Sequence, residues 1–180
     1  VLDATPLATL LAEIETTDSA AIASAKEWAR LKSLGDNAAA RTLETAEAVM
    51  KRDRAAAESA HGRLVAGWGK ALAGRADLAS LTRMLLAQEV ALARADLPAG
   101  EKLDGAPVGV RVTPVAGEAS WRPAELIGPA PNADLQAQGQ AFLILLREHP
   151  PAPGMALAVR FATGGAADKG LLLPRAAVVQ

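Results

Sequence analysis

The chain has no cysteine and no tyrosine, and aromatic residues make up only 3% of its 180 positions. Lacking thiols, it can form neither disulfides nor thiolate metal sites, although this does not choose a compartment. With large core fillers so scarce, a broad globular interior built mostly from Ala would be weak. Alanine-rich helices lying close together account better for a composition that is 51% hydrophobic and 22% charged, and they imply an elongated shape. An excess of either charge is also missing: 19 Lys and Arg against 20 Asp and Glu give a formal net charge of −1 and a pI near 6.2. That balance excludes a sequence-independent polyanion binder, which needs a basic face to displace counterions, so nucleic acid is not an expected partner. No apolar run approaches the roughly 20 residues that span a bilayer. The start at Val1, without Met, reads as a processed or trimmed product, with any export signal or anchor lying outside it.

What is present divides into two halves. From Leu7 to about Leu34 the residues repeat with a coiled-coil period. Leu7, Ile14, Ala21 and Trp28 form one set, and Leu10, Thr17, Ser24 and Leu31 form the other. Thr5 before Pro6 is the expected N-cap, and Gly35 the C-terminal stop. A second run, starting near Asp36 or Asn37, carries Leu43, Met50, Ala57 and Leu64 at heptad spacing, with Ala46, Asp53 and Ala60 between them. Gly67 and Gly69 loosen this run and Gly74 ends it. Folded back about the turn, the two helices place Trp28 near Leu43, Ala21 near Met50, Ile14 near Ala57 and Leu7 near Leu64. Each would be about 40 to 50 Å long at 1.5 Å per residue. A shorter helix through Leu78, Leu81, Met84 and Leu85 leads out of the pair.

Beyond about Gln88 the period moves toward two and turn residues multiply. The stretches VALARADLPAGEKLDG, PVGVRVTPVAG, WRPAELIGPAPNAD, AFLILLRE, GMALAVRF and GLLLPRAAVV read as strands. Val108, Val110 and Val112 alternate with Gly109 and Arg111, and Met155, Leu157, Val159 and Phe161 alternate with Ala156, Ala158 and Arg160, the pattern of one-sided burial. The expected fold class is therefore α+β: a long antiparallel α-helical hairpin, a coiled coil with a short third helix over residues 1–87, followed by a small antiparallel β-barrel over 88–180.

In this order, hairpin then barrel, the C-terminal half resembles the periplasmic adaptors, or membrane fusion proteins of the HlyD type, that belong to tripartite RND-type efflux systems. The resemblance is carried by Pro153, Gly154 and Met155 in APGMALAVRF, by Pro174, Ala177 and Val178 in LLLPRAAVVQ, and by the stretch AELIGPAPNADLQAQGQAFLILL before them. It covers nearly all of residues 88–180. It implies a non-enzymatic subunit in the periplasm, anchored to the inner membrane through a segment outside this chain. Its partners would be an inner-membrane RND-type transporter, an outer-membrane channel protein and further copies of itself in a ring or tube. The resemblance also implies a channel contact at the hairpin tip. Adaptors of this kind carry an Arg, a Leu four positions on and a Ser seven beyond that. Arg30 and Leu34 match the first two, and Arg41 stands where the Ser would be. A lipoyl-like domain, which usually flanks the hairpin, is not evident between Gly74 and Val90, and the chain stops where a membrane-proximal domain would begin.

No residues form a recognisable catalytic set. Ser59 with His61, or Ser120 with Glu118, offers no nucleophile elbow, and GWGKALAG neither follows a strand nor fits a phosphate loop. No cofactor is expected. His61 and His149 are the only histidines, and neither has a partner spaced for a tetrahedral site; Met50, Met84 and Met155 lie in three segments and suit packing. A metal-binding adaptor or chaperone of a heavy-metal efflux system is the alternative function. KRDRAAAE, from Lys51 to Glu58, is most simply a solvated helix face with pairs four residues apart. Trp28 and Trp68 are expected at the helix contact, Trp121 at the opening of a strand.

Overall fold

A computed structural model describes residues 1–35, 39–98, 100–103, 105, 107–116, 120–131 and 139–164. The protein is α+β. Helices α1 (Thr5–Ser33), α2 (Ala40–Ala73) and α3 (Leu78–Leu86) precede strands β1 (Ala91–Asp96), β2 (Pro107–Pro114), β3 (Arg122–Pro129), β4 (Ala141–Leu146) and β5 (Leu157–Thr163). All strand pairs are antiparallel, in the order β1-β4-β3-β2-β5. The sheet curls into a half-barrel, and Phe142 of β4 meets Phe161 of β5 with ring centroids 5.1 Å apart although two strands lie between them. The sixth expected strand, GLLLPRAAVV, falls outside the described residues, as do Pro174, Ala177 and Val178.

The heptad positions are the ones that turn inward. In α1, Leu7, Ile14 and Leu31 are buried and Leu10, Thr17, Ala21, Ser24 and Trp28 half-buried. In α2, Ala57, Ala60 and Leu64 are buried, and Leu43, Ala46, Met50 and Asp53 half-buried. Two pairs join the helices with opposite sequence direction, Glu13 to Arg63 and Asp18 to His61, so α1 and α2 are antiparallel where they touch. Burial is uneven along their length. Between Ile14 and Leu31 no residue of α1 is fully buried, and none of α2 before Ala57.

Where burial is complete, the sheet supplies the other wall. Leu7, Ile14, Ala60, Leu64 and Leu72 pack with Leu78, Leu81 and Leu85 of α3 against Leu92, Leu143 and Leu145. The opposite face of the same strands gives Ala91, Ala93, Ala95, Ile144 and Leu146 to a second core with Val110 and Val112, into which Leu126, Val159 and Phe161 also pack. Strand β4 is therefore covered on both sides, which explains why AFLILL is an unbroken apolar run rather than an alternating one. Alanines on the inner side of β1 leave room for the larger residues opposite.

Glycine sets the junction between α2 and the sheet. Gly69 (φ 80°, ψ 155°) interrupts the helix, a conformation that L side chains rarely adopt, and a Cβ there would lie 3.1 Å from the Pro129 carbonyl oxygen. Beside it, Arg75 bridges Asp77 and Glu125 (2.8 and 2.9 Å), and Glu125 also accepts from Arg147 at 2.9 Å, tying the start of α3 to β3 and β4.

Several sequence expectations are corrected. The N-cap of α1 is Ala4, not Thr5, and the capping oxygen belongs to Asp3, which accepts from the Thr5 amide (2.9 Å) and hydroxyl (2.8 Å). Helix α2 begins at Ala40, later than Asp36 or Asn37, which lie outside the described residues. Val108 is 74% exposed, unlike Val110 and Val112, because the register with β5 shifts between Pro107 and Gly109 and the bulge turns Val108 outward. Met155 precedes β5, in the Pro153–Gly154 turn, and is 41% exposed rather than packed.

Candidate functional site

The residues singled out by resemblance lie at the two helix ends that the α1–α2 connection joins. Arg30 is in the last turn of α1, Leu34 is its C-cap, and Gly35 follows with φ +54°, the left-handed residue that ends a helix without a Cβ penalty. The Leu34 amide donates to the Leu31 carbonyl oxygen at 3.1 Å, which closes the last turn and leaves the Leu34 side chain 43% exposed. Arg41 is exposed in the first turn of α2. Residues 36–38 between them are outside the described set.

Local pairing accounts for part of the positive charge. Arg30 forks onto the Glu27 carboxylate, with contacts of 2.7 and 2.8 Å, and these hydrogen bonds hold the Glu27 carboxyl below its usual range. The Lys32 ammonium lies 4.7 Å from the Trp28 ring centroid, a cation–π contact that covers the half-buried indole. Both were legible as helix neighbours three and four residues apart, in EWAR and WARLK. Arg30 and Lys32 also suit the negative end of α1, whereas Arg41 stands at the positive end of α2, where the helix dipole disfavours it.

Further along the helices every charged residue of KRDRAAAE has a neighbour: Lys51 with Glu47 (2.7 Å), Arg52 with Asp53 (2.7 Å) and Arg54 with Glu58 (2.8 Å). The Arg52 hydrogen bond lowers the Asp53 pKa, and the Ser24 hydroxyl across the helix contact adds to it. Ala21 and Met50 line one shallow depression together, but the cross-helix contacts Glu13–Arg63, Asp18–His61 and Ser24–Asp53 set a register several residues away from the expected pairing of Ala21 with Met50 and Ile14 with Ala57.

His61 Nε2 lies 3.0 and 3.1 Å from the two Asp18 carboxylate oxygens, a contact that sequence spacing could not reveal because 43 residues separate the partners. His149 sits elsewhere, in a loop with φ +47°. Among the described residues no three His, Cys, Asp or Glu side chains converge on a point that could hold a metal ion. Met50 and Met84 lie on separate helices, Trp68 packs against the main core, and Trp121 is half-buried before β3. No described helix is long and apolar enough to cross a membrane.

Comparison with protein-family models, with curated proteins and with solved structures found no match.

Proposed function

We propose that this chain is the adaptor subunit of a tripartite efflux system. In this reading α1 and α2 form a long hairpin whose end docks on an outer-membrane channel protein, the sheet belongs to a barrel that engages an inner-membrane RND-type transporter, and several copies stand side by side in the periplasm as a ring or tube. The observation that carries it is the burial profile. The helices are anchored to the sheet at one end, and toward the other they bury little except a thin line of heptad residues, ending at the exposed Leu34. Folding gives no reason for two such long, thinly packed helices, whereas an extended reach between partners does. Lateral neighbours would strengthen so thin a contact by mass action. The Pro153–Gly154–Met155 turn before β5 adds the sequence resemblance.

The test is site-specific photocrosslinking in cells from position 34, with a position on β4 as control. A product with an outer-membrane channel protein from position 34 alone is the expected result, together with loss of efflux-dependent resistance in Leu34→Asp. Crosslinks only to soluble enzymes, with resistance unchanged, would remove the reading. The heavy-metal alternative has one observation in its favour, the Asp18–His61 contact, which places donors of two side chains within reach of one ion. Calorimetry with copper, zinc and silver on the wild type and His61→Ala decides it; no heat with any of the three excludes direct ion binding.

A further inference from the structure

The outer face of the half-barrel is covered by helices over β1, β4 and the second half of β3, and carries a different group of residues over β2 and β5. Arg111 and Arg160 are directly opposite one another in the β2–β5 register, and both are exposed. Like charges in that position repel, yet among the described residues neither guanidinium has a carboxylate partner. What they have instead is Trp121. The Arg160 guanidinium carbon lies 4.0 Å from the Trp121 ring centroid, and Arg111 donates to the Trp121 carbonyl oxygen at 3.0 Å. Two residues on from Arg111, and therefore on the same face, Thr113 is only 5% exposed and its hydroxyl has no hydrogen-bond partner among the described residues. A buried hydroxyl left unpaired is uncommon and calls for an explanation.

We infer that Arg111, Arg160 and Thr113, with Trp121 as the platform that orients Arg160, form a binding site for a phosphate-type oxyanion. An oxyanion between the two guanidinium groups turns a repulsion into two charge-assisted contacts, and guanidinium forks suit phosphate geometry. Three donors on separate strand positions match the several oxygens of a tetrahedral group better than the two coplanar oxygens of a carboxylate. The net charge of −1 leaves no general attraction for polyanions, so recognition is local to these side chains. The same chemistry is offered by free phosphate and by the headgroup of an anionic lipid, whose interfacial region also favours an amphipathic Trp. The inference does not rest on the efflux reading.

Calorimetric titration with inorganic phosphate, and sedimentation with vesicles of phosphatidylglycerol mixed into phosphatidylcholine or of phosphatidylcholine alone, test it on the full chain. The wild type should bind phosphate. The double variant Arg111→Ala/Arg160→Ala should weaken binding about tenfold or more, which corresponds to losing one strong polar contact. Thr113→Val, which leaves the charge unchanged, should weaken it several-fold, separating a built site from simple attraction of opposite charges. If anionic vesicles also bind and phosphate displaces them, the source is a lipid headgroup; if phosphate binds and vesicles do not, it is a free oxyanion. Thermal melts by circular dichroism check folding, and Thr113→Val carries the test should the double variant unfold. The inference is overturned if the wild type binds neither probe, if both variants bind phosphate as the wild type does, or if a glutamate peptide competes as well as phosphate.

Discussion

Gly128 of β3 approaches Ala71 of α2 so closely that a Cβ on Gly128 would lie 2.7 Å from the Ala71 methyl carbon. The β3–β4 register shifts between Leu126 and Gly128, and Gly128 has φ 151°. Gly128→Ala should therefore force the end of α2 away from the sheet and cost about 1 to 3 kcal/mol, the usual range for overpacking. Ala71→Gly in the same chain removes the opposing methyl, and the double variant should be less destabilised than the sum of the two singles. Chemical denaturation of the four proteins measures this, and strict additivity would show that the contact is not the cause.

Burial along α2 sets a second expectation. Leu64 is 4% exposed and belongs to the core shared with the sheet, so Leu64→Ala should cost about 2 to 5 kcal/mol. Met50 is half-buried beside a shallow depression, and Met50→Ala should cost about 1 kcal/mol, in proportion to the smaller area withdrawn from water. Urea midpoints compare the two, and amide exchange should be faster in residues 43–53 than in 57–72. Equal costs would mean that the outer part of the helix pair is as well packed as the inner.

Glu125 gives the chain a titratable link between helix and sheet. Burial pushes its carboxyl up, but hydrogen bonds from Arg75 and Arg147 outweigh that and leave the pKa below the ordinary 4.5. A depressed folded-state value means that the stabilisation is complete above the unfolded pKa and drains away as the pH falls through the folded one. The wild type should therefore exceed Glu125→Gln in stability at pH 7, by about 1 kcal/mol or less given its exposure. The gap should close below about pH 4.5. Denaturation midpoints across that range check the sign, and a gap that widens in acid would contradict it.

At the helix ends the expectation is the reverse, substitution without structural cost. Arg30→Ala, Leu34→Ala and Arg41→Ala should each stay within about 0.5 kcal/mol of the wild type, as exposed positions do. Melting curves decide, and a loss well above that for Leu34→Ala would mean that its side chain packs on something.

The helices were legible because a heptad pattern reports its buried line whatever surrounds it, and Leu7, Ile14, Ala57, Ala60 and Leu64 all lie on that line. Five of the strands were legible for the same kind of reason. The failures are local and physical. Val108 follows the alternation in sequence but sits at a bulge, and Met155 continues the alternation into what is a turn. Asp3 took over the capping that Thr5 had been expected to supply. The Gly128–Ala71 approach, the Arg75–Glu125–Arg147 link and the Arg111–Arg160 opposition were out of reach, because each depends on the alignment of segments far apart in the chain, which no local pattern encodes. Arg30, Leu34 and Arg41 were singled out by resemblance; all three are exposed, which assigns them no partner.

The break in α2 at Gly69 bears on how small movements travel. Roughly 30 residues of helix lie between it and Ala40, about 45 Å at 1.5 Å each, so a swivel of about 5° there would carry Ala40 sideways by about 4 Å. Ala60 and Leu64 lie between the break and Ala40 and are buried against the sheet, so they brace this lever: a turn at Gly69 has to be absorbed by their packing before it can reach the far end of the helix.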